Sequence, residues 1–316
     1  MRAAPQRLLI VVILVALVPL AAGCGSSSKK TSGTGAPAAS GPGTSRPPVT
    51  LGDKNFAEEF VLGQLYTQAL QAKGYKVTLK ENIGSTEITD KALTSGQIDG
   101  YPEYTGTIVS ELAHRNSRPP TAAATYSQAK AFENARGFTL LKFTPFIDTD
   151  ALATKPAYAS QHGLHTVADL KKVSGATLGA PPEFQTRAQG LPGLKRVYGI
   201  TSANLSFKPL TIGLQYQALD GGQVQVADVF TTDGQLSRGS YAVLKDPKNL
   251  FGFQNAAMVI AKKVLAREGP AFAATIDAVT AKLTTPAIQT MNAAVVIDKQ
   301  SPAAVARTFL QANALL

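Results

Sequence analysis

From Val49 onward, apolar and polar positions switch between two periods. Val49–Asp53 (VTLGD), a short apolar run after Pro47-Pro48, predicts a strand. Ala57–Lys73 then carries Val61, Leu62, Leu65, Ala69 and Leu70 at helical spacing, with Gly74 as the stop. Tyr75–Glu81 alternates as a strand does, and Thr86–Leu93 predicts a helix capped by Ser85 or Thr86. Ile98–Tyr101 predicts a third strand. This strand-helix rhythm belongs to parallel sheets with right-handed crossovers.

The rhythm returns farther on. Ala151–Thr154, Ala176–Ala180, Leu205–Leu210 and Val224–Phe230 predict strands, with Tyr241–Lys245 as one more. Val167–Lys172 and Leu214–Leu219 predict short helices between them. Phe184–Tyr198 predicts a helical stretch interrupted by GLPG. Pro270–Leu316 is alanine-rich and helical, with Pro286 and Pro302 where new helices begin, a position that proline tolerates. Two α/β blocks facing one another make a cleft, and open α/β sheets bind ligands beyond the carboxyl ends of their strands. The segments expected at those ends are KNFAEE, YPEYTGT, FIDTD and TTDG. All are polar or aromatic and read as pocket edges.

The N-terminus sets the compartment. Arg2 and Arg7 precede LLIVVILVALVPLAAGC, a run too short and too early for a stable membrane span. A positive start, an apolar middle and small residues before a break predict a secretory signal peptide over residues 1–23. The break, AAGC, resembles the lipobox of bacterial lipoproteins. That resemblance makes Cys24 the lipid anchor and places the protein outside the cytoplasm on the outer face of the cell membrane. Cys24 is the single cysteine, so no internal disulfide forms. Residues 24–48 are rich in Gly, Ser, Thr, Ala and Pro and read as a disordered tether.

The formal net charge is +10. An exported chain without a long Lys/Arg run is not read as nucleic-acid-binding. The basic balance suits an anionic membrane surface instead. His162 and His165 stand three apart beside a glycine with no cysteine partner, a poor zinc pair, and no metal or cofactor is expected. No phosphate-cradling loop, dinucleotide fingerprint or nucleophile motif occurs, which argues against an enzyme. A hydrolase and a scaffold lipoprotein remain as weaker alternatives.

Five segments then carry a resemblance: LGDKNFAEEFVLGQ, IGSTEITDKAL, GQIDGYPEYTGT, PPEFQTRAQGLPGLKRVYG and TTDGQL. In this order they resemble the substrate-binding proteins of osmoprotectant ABC importers, for glycine betaine, carnitine, choline and proline, over Val49 to Leu316. The resemblance implies a type II periplasmic-binding-protein fold with two α/β lobes joined by two crossing segments, near Phe146–Ala151 and Phe251–Ala257. Lobe 1 is then 49–147 plus 256–316, and lobe 2 is 148–255. It further implies a monomeric receptor that serves a permease and its ATPase subunit.

By the same resemblance, Lys54, Thr107 and Arg187 hold the ligand's anionic end and Tyr104 forms one aromatic wall. Asp148 is a cleft residue and Glu59 a further candidate. Three wall positions depart from the family pattern. Asp150 stands where a tyrosine is expected, as do Phe230 and Gln254. An acid and an amide in an aromatic box predict altered specificity, toward an amine, an imidazole-type betaine or a polyhydroxylated compound. The alternative is that Phe146, Phe251 or Phe253 rebuilds the box.

Overall fold

A computed structural model describes residues 41–115 and 119–316. The expected signal peptide, Cys24 and most of the expected tether lie outside the described residues. Gly41–Pro48 does not behave as tether. The Gly43 amide donates to Lys73 O at 3.0 Å, and Arg46 Nη1 donates to Arg267 O at 2.7 Å. A Cβ on Gly43 would lie 2.4 Å from the Tyr75 ring, so only glycine permits this approach.

The first half of the chain runs β1 (Val49–Gly52), α1 (Ala57–Ala72), β2 (Val77–Lys80), α2 (Thr86–Thr94) and β3 (Gly100–Tyr104). A single turn, α3 (Thr105–Thr107), continues into a π-helical turn over Ile108–Leu112, followed by α4 (Ala122–Ala135) and β4 (Phe138–Phe143). The middle runs β5 (Asp150–Thr154), α5 (Pro156–His162), β6 (Ala176–Ala180), α6 (Leu191–Gly193), β7 (Leu205–Pro209), α7 (Gln215–Asp220), β8 (Val226–Phe230) and β9 (Ala242–Leu244). The chain returns through β10 (Ala256–Ala261) and finishes with α8 (Lys262–Glu268), α9 (Pro270–Thr280), α10 (Thr285–Val296) and α11 (Pro302–Ala312).

Two five-stranded sheets result, ordered β2-β1-β3-β10-β4 and β7-β6-β8-β5-β9. Each contains one reversed strand flanked on both sides by antiparallel partners: β10 between β3 and β4, and β5 between β8 and β9. These reversed strands arrive directly from the other sheet. Each therefore begins where the parallel strands end, with Ala256 opposite Tyr104 and Asp150 opposite Phe230. The connecting segments are 144–149 and 245–255. The expected crossings ran a residue or two too far, because Ala151 already lies in β5 and Ala256–Ala257 in β10.

The two crossings are laced together. Asn255 Nδ2 donates to Thr144 O at 2.9 Å and Phe146 O at 3.0 Å, and the Asp148 amide donates to Gln254 O at 3.0 Å. Each sheet has its own core. The first packs Val61, Leu65 and Tyr66 of α1 against Phe272 and Ile276 of α9. The second gathers Leu152, Leu178, Leu194 and Val226.

Several expected elements shift. β3 reaches Tyr104 instead of stopping at Tyr101, so YPEY is the strand itself and not the loop after it. Beyond Gly100, β3 is paired with β10 alone, which leaves a side where Pro102 costs no ladder bond. The expected helix over Phe184–Tyr198 is three short turns, broken at Gly190, where a Cβ would lie 1.9 Å from the Phe184 carbonyl oxygen.

Candidate functional site

The strand ends of both sheets surround one open cavity. Lys54, Tyr104, Thr107, Asp148, Asp150, Arg187, Phe230 and Gln254 all line it. Glu59 does not. It is fully buried behind Lys54, accepting the Lys54 amide at 3.3 Å. Sequence reasoning missed Phe56, Glu183, Gln189 and Asp228, which also line the cavity.

Tyr104 ends β3, and Phe56 sits at the N-cap of α1, where its extended backbone turns the ring inward. Their rings stack at 6.2 Å between centroids with planes 23° apart. Phe56 also stacks on Phe230, at 5.9 Å and 13°, from the end of β8. Three nearly parallel rings thus span the two sheets. None of the three neighbours expected to rebuild the box takes part. Phe146 and Phe251 are buried in the two cores, and Phe253 lines a separate groove. Phe56 supplies the aromatic face instead.

The cations are partly committed. Lys54 is 3% exposed; its Nζ lies 2.5 Å from Glu103 Oε1, 3.4 Å from Thr86 Oγ1 and 4.4 Å from the centre of the Tyr104 ring. Arg187 Nη2 reaches from the second sheet's side to Glu87 Oε1 on α2 at 3.2 Å, an ion pair across the cleft. Arg187 Nε is buried without a hydrogen-bond partner among the described residues, so one charge-assisted donor is still free.

Gln254 is a tie instead of a wall. Its Oε1 accepts from the Thr107 amide at 2.9 Å and the Thr107 hydroxyl at 3.2 Å, while its Nε2 donates to Gln189 Oε1 at 3.0 Å. A Cβ on Gly106 would lie 2.7 Å from both Gln254 Oε1 and Phe253 O. That contact accounts for the glycine of YTGT: only glycine lets the second crossing pass so close.

Carboxyl groups fill the rest of the wall. Burial pushes the Asp150 carboxyl up to about 6, against the pull of Arg187. Burial, reinforced by the Asp150 charge, holds Asp228 well above the usual carboxylate range, and Asp228 Oδ1 has no partner among the described residues. Burial and the Glu58 charge also raise Asp148, whose Oδ1 accepts from the Thr232 hydroxyl at 2.7 Å. Behind the rings, the Tyr104 hydroxyl donates to Glu58 Oε1 at 2.7 Å, fixing the ring's rotation. Among the described residues no group of three or more His, Cys, Asp or Glu side chains is arranged to hold a metal, and no helix is long and apolar enough to cross a membrane.

A cleft with an aromatic stack and basic groups from both sides suits a dipolar organic ion: rings hold an alkylated cation, and guanidinium holds a carboxylate. Comparison with known proteins agrees with that chemistry. The chain is 37% identical to the glycine-betaine-binding protein of Pseudomonas aeruginosa, over 85% of this chain and 88% of that protein. It is 27% identical to the carnitine transport binding protein OpuCC of Listeria monocytogenes, over 86% and 88%. A solved structure of a glycine betaine/carnitine/choline ABC transporter protein superposes with a TM-score of 0.69 at 26% identity, covering 84% of this chain and 99% of that one. Residues 47–312, which include every cleft residue described above, match the substrate binding domain of ABC-type glycine betaine transport systems, and the chain belongs to that family.

Proposed function

We propose that the protein is the extracytoplasmic receptor of an ABC importer, capturing a small zwitterion of the glycine betaine, choline, carnitine and proline class for a membrane permease and its ATPase. The observation that carries this reading is the single cavity in which Tyr104, Phe56 and Phe230 stack while Lys54 and Arg187 enter from opposite sides. The ligand carboxylate takes the free Nε of Arg187, with the Lys54 ammonium nearby. The quaternary ammonium lies against the Phe56 and Phe230 rings, on the side away from Lys54, whose Nζ stands 4.4 Å from the Tyr104 centroid and 5.5 Å from that of Phe56. Contacts from both sides make the closed form the better binder, and only such differential affinity shifts a receptor toward closure.

Cys24 is the lipid anchor in this reading, holding a monomeric receptor near its permease. The signal peptide is 1–23, lobe 1 spans 49–147 plus 256–316, and lobe 2 spans 148–255. The receptor binds and releases its solute unchanged and needs no cofactor.

A second reading has one observation in its favour. Asp228 Oδ1 and the Asp150 carboxyl offer acceptors that an N–H-bearing cation or an imidazole-type betaine would use better than a trimethylammonium group. Calorimetric titration with glycine betaine, choline, carnitine, proline and ergothioneine decides between the readings. The first expects a micromolar or tighter constant for glycine betaine, choline, carnitine or proline. Binding of ergothioneine alone supports the second, and silence from all five ligands overturns both.

A further inference from the structure

A second open cavity adjoins the first and shares the Phe56 and Phe230 rings with it. Asn55, Phe56, Asp148, Ile212 and Phe230 line both, so the stacked Phe56 and Phe230 rings and the Asp148 side chain are part of the wall between them. The second chamber has a different chemistry. Glu58, Asp148 and Asp233 line it, and no Lys, Arg or His among the described residues does. Glu58 and Asp148 are 3% and 6% exposed.

Its amides give an independent sign of a ligand. Asn292, on α10, is 4% exposed and lines the chamber. Its Nδ2 donates to Glu58 Oε2 at 2.9 Å and to Thr232 O at 3.1 Å, which fixes the amide's orientation. Its Oδ1 is therefore the remaining end, buried and without a partner among the described residues. Gln235 Oε1, also in the chamber wall, is in the same position. A buried acceptor without a donor is costly. Two of them beside three carboxyl groups call for a cation that donates hydrogen bonds, while Phe60, Tyr216 and Val296 suit an alkyl body.

We propose that this second chamber binds the protonated amine of an alkylammonium compound, its N–H bonds directed at Asn292 Oδ1 and Gln235 Oε1 and its charge set against Glu58, Asp148 and Asp233. A quaternary ammonium, with no N–H to give, is refused here and sent to the first chamber. The amine comes either from a free alkylamine or from the far end of an elongated solute whose carboxylate sits in the first chamber.

The test is calorimetric titration of the protein with butylammonium, tetramethylammonium and 6-aminohexanoate, each with and without saturating glycine betaine. Butylammonium is expected to bind at least tenfold more tightly than tetramethylammonium. Gln235→Leu, outside the first chamber, is expected to weaken butylammonium about tenfold, as loss of one charge-assisted bond does, and to leave glycine betaine unaffected. Asn292→Leu gives a second reading of the same loss, its fold checked by circular dichroism. Simultaneous binding of butylammonium and glycine betaine identifies a free amine as the occupant. Competition between 6-aminohexanoate and glycine betaine, with the former weakened by Gln235→Leu, identifies an elongated solute. The proposal is overturned if neither amine binds, if Gln235→Leu has no effect on either, or if glycine betaine displaces butylammonium. The amine titrations stand without glycine betaine, so its failure to bind would count against the receptor reading alone.

Discussion

Lys54→Met tests whether the central cation of the cleft is part of the fold's own electrostatics. The Lys54 and Glu103 side chains are 4% and 0% exposed, 2.5 Å apart, with Glu59 Oε1 a further 3.9 Å contact on the same ammonium. Removing the lysine leaves two buried carboxylates without compensation. Breaking a buried pair from one side costs about 3–5 kcal/mol. For a chain of this size each kcal/mol lowers Tm by about 2–4 °C, so a fall of roughly 6–20 °C is expected. Glu103→Gln in the Lys54→Met background removes one orphaned charge and should recover at least half of the loss. The assay is urea unfolding of wild type, both single variants and the double, closed as a double-mutant cycle. A single-variant cost below about 1 kcal/mol, with no recovery in the double, would refute the idea that Lys54 is buried for the sake of Glu103 and Glu59.

Phe56→Leu keeps apolar bulk but removes the central π face; glycine betaine affinity should fall about thirtyfold, from roughly 2 kcal/mol of cation–π attraction, and a change under threefold in calorimetry would exclude Phe56 as a wall. Arg187→Met should cost glycine betaine at least tenfold but choline, which lacks a carboxylate, much less; equal losses would mean that Arg187 acts by joining the two sides through Glu87. Gly106→Ala should cost about 1–3 kcal/mol in urea unfolding, since its Cβ would meet Gln254 Oε1 and Phe253 O, and a neutral result would contradict the close approach. The unliganded protein should lose stability as pH rises from about 5 to 7.5. Burial raises Asp150 and Asp233 to about 6 and Asp53 and Glu133 to about 7, so the folded state holds protons that the unfolded chain has released. Asp150→Asn should flatten that slope, and greater stability at pH 7.5 than at pH 5 would show that these carboxyl groups are not held protonated by burial.

Lys54, Tyr104 and Arg187 were legible only through the resemblance of the quoted motifs to a family pattern, and all three line one cavity. Phe56 lay inside the KNF motif but carried no signal of its own; only the turn of α1 brings its ring against both Tyr104 and Phe230. Asp228 was hidden in VADVF, which reads as a buried strand. β10 (AAMVIA) escaped for a related reason. A strand covered on both faces lacks the polar alternation that marks a strand, and alanine before a helical tail reads as more helix. Of the adjacent acids Glu58 and Glu59, the sequence reading offered Glu59 as a cleft candidate, and neither lines the first cavity. Glu58 points to Tyr104 and Asn292, whereas Glu59 turns toward Lys54.

The lacing of 144–149 to 245–255 has a mechanical consequence. When two bodies rotate about an axis, each atom's displacement grows with its distance from that axis. Asp148 and Gln254 sit on the connecting segments, and Asp150 is the first residue of β5 immediately beyond one of them. These groups keep nearly the same spacing at every angle. Glu87 and Arg187 belong to no connecting segment, so rotation about those segments changes their separation. Radius therefore divides the cleft into a fixed template, which meets the solute on arrival, and a moving clasp, which registers that it has stayed.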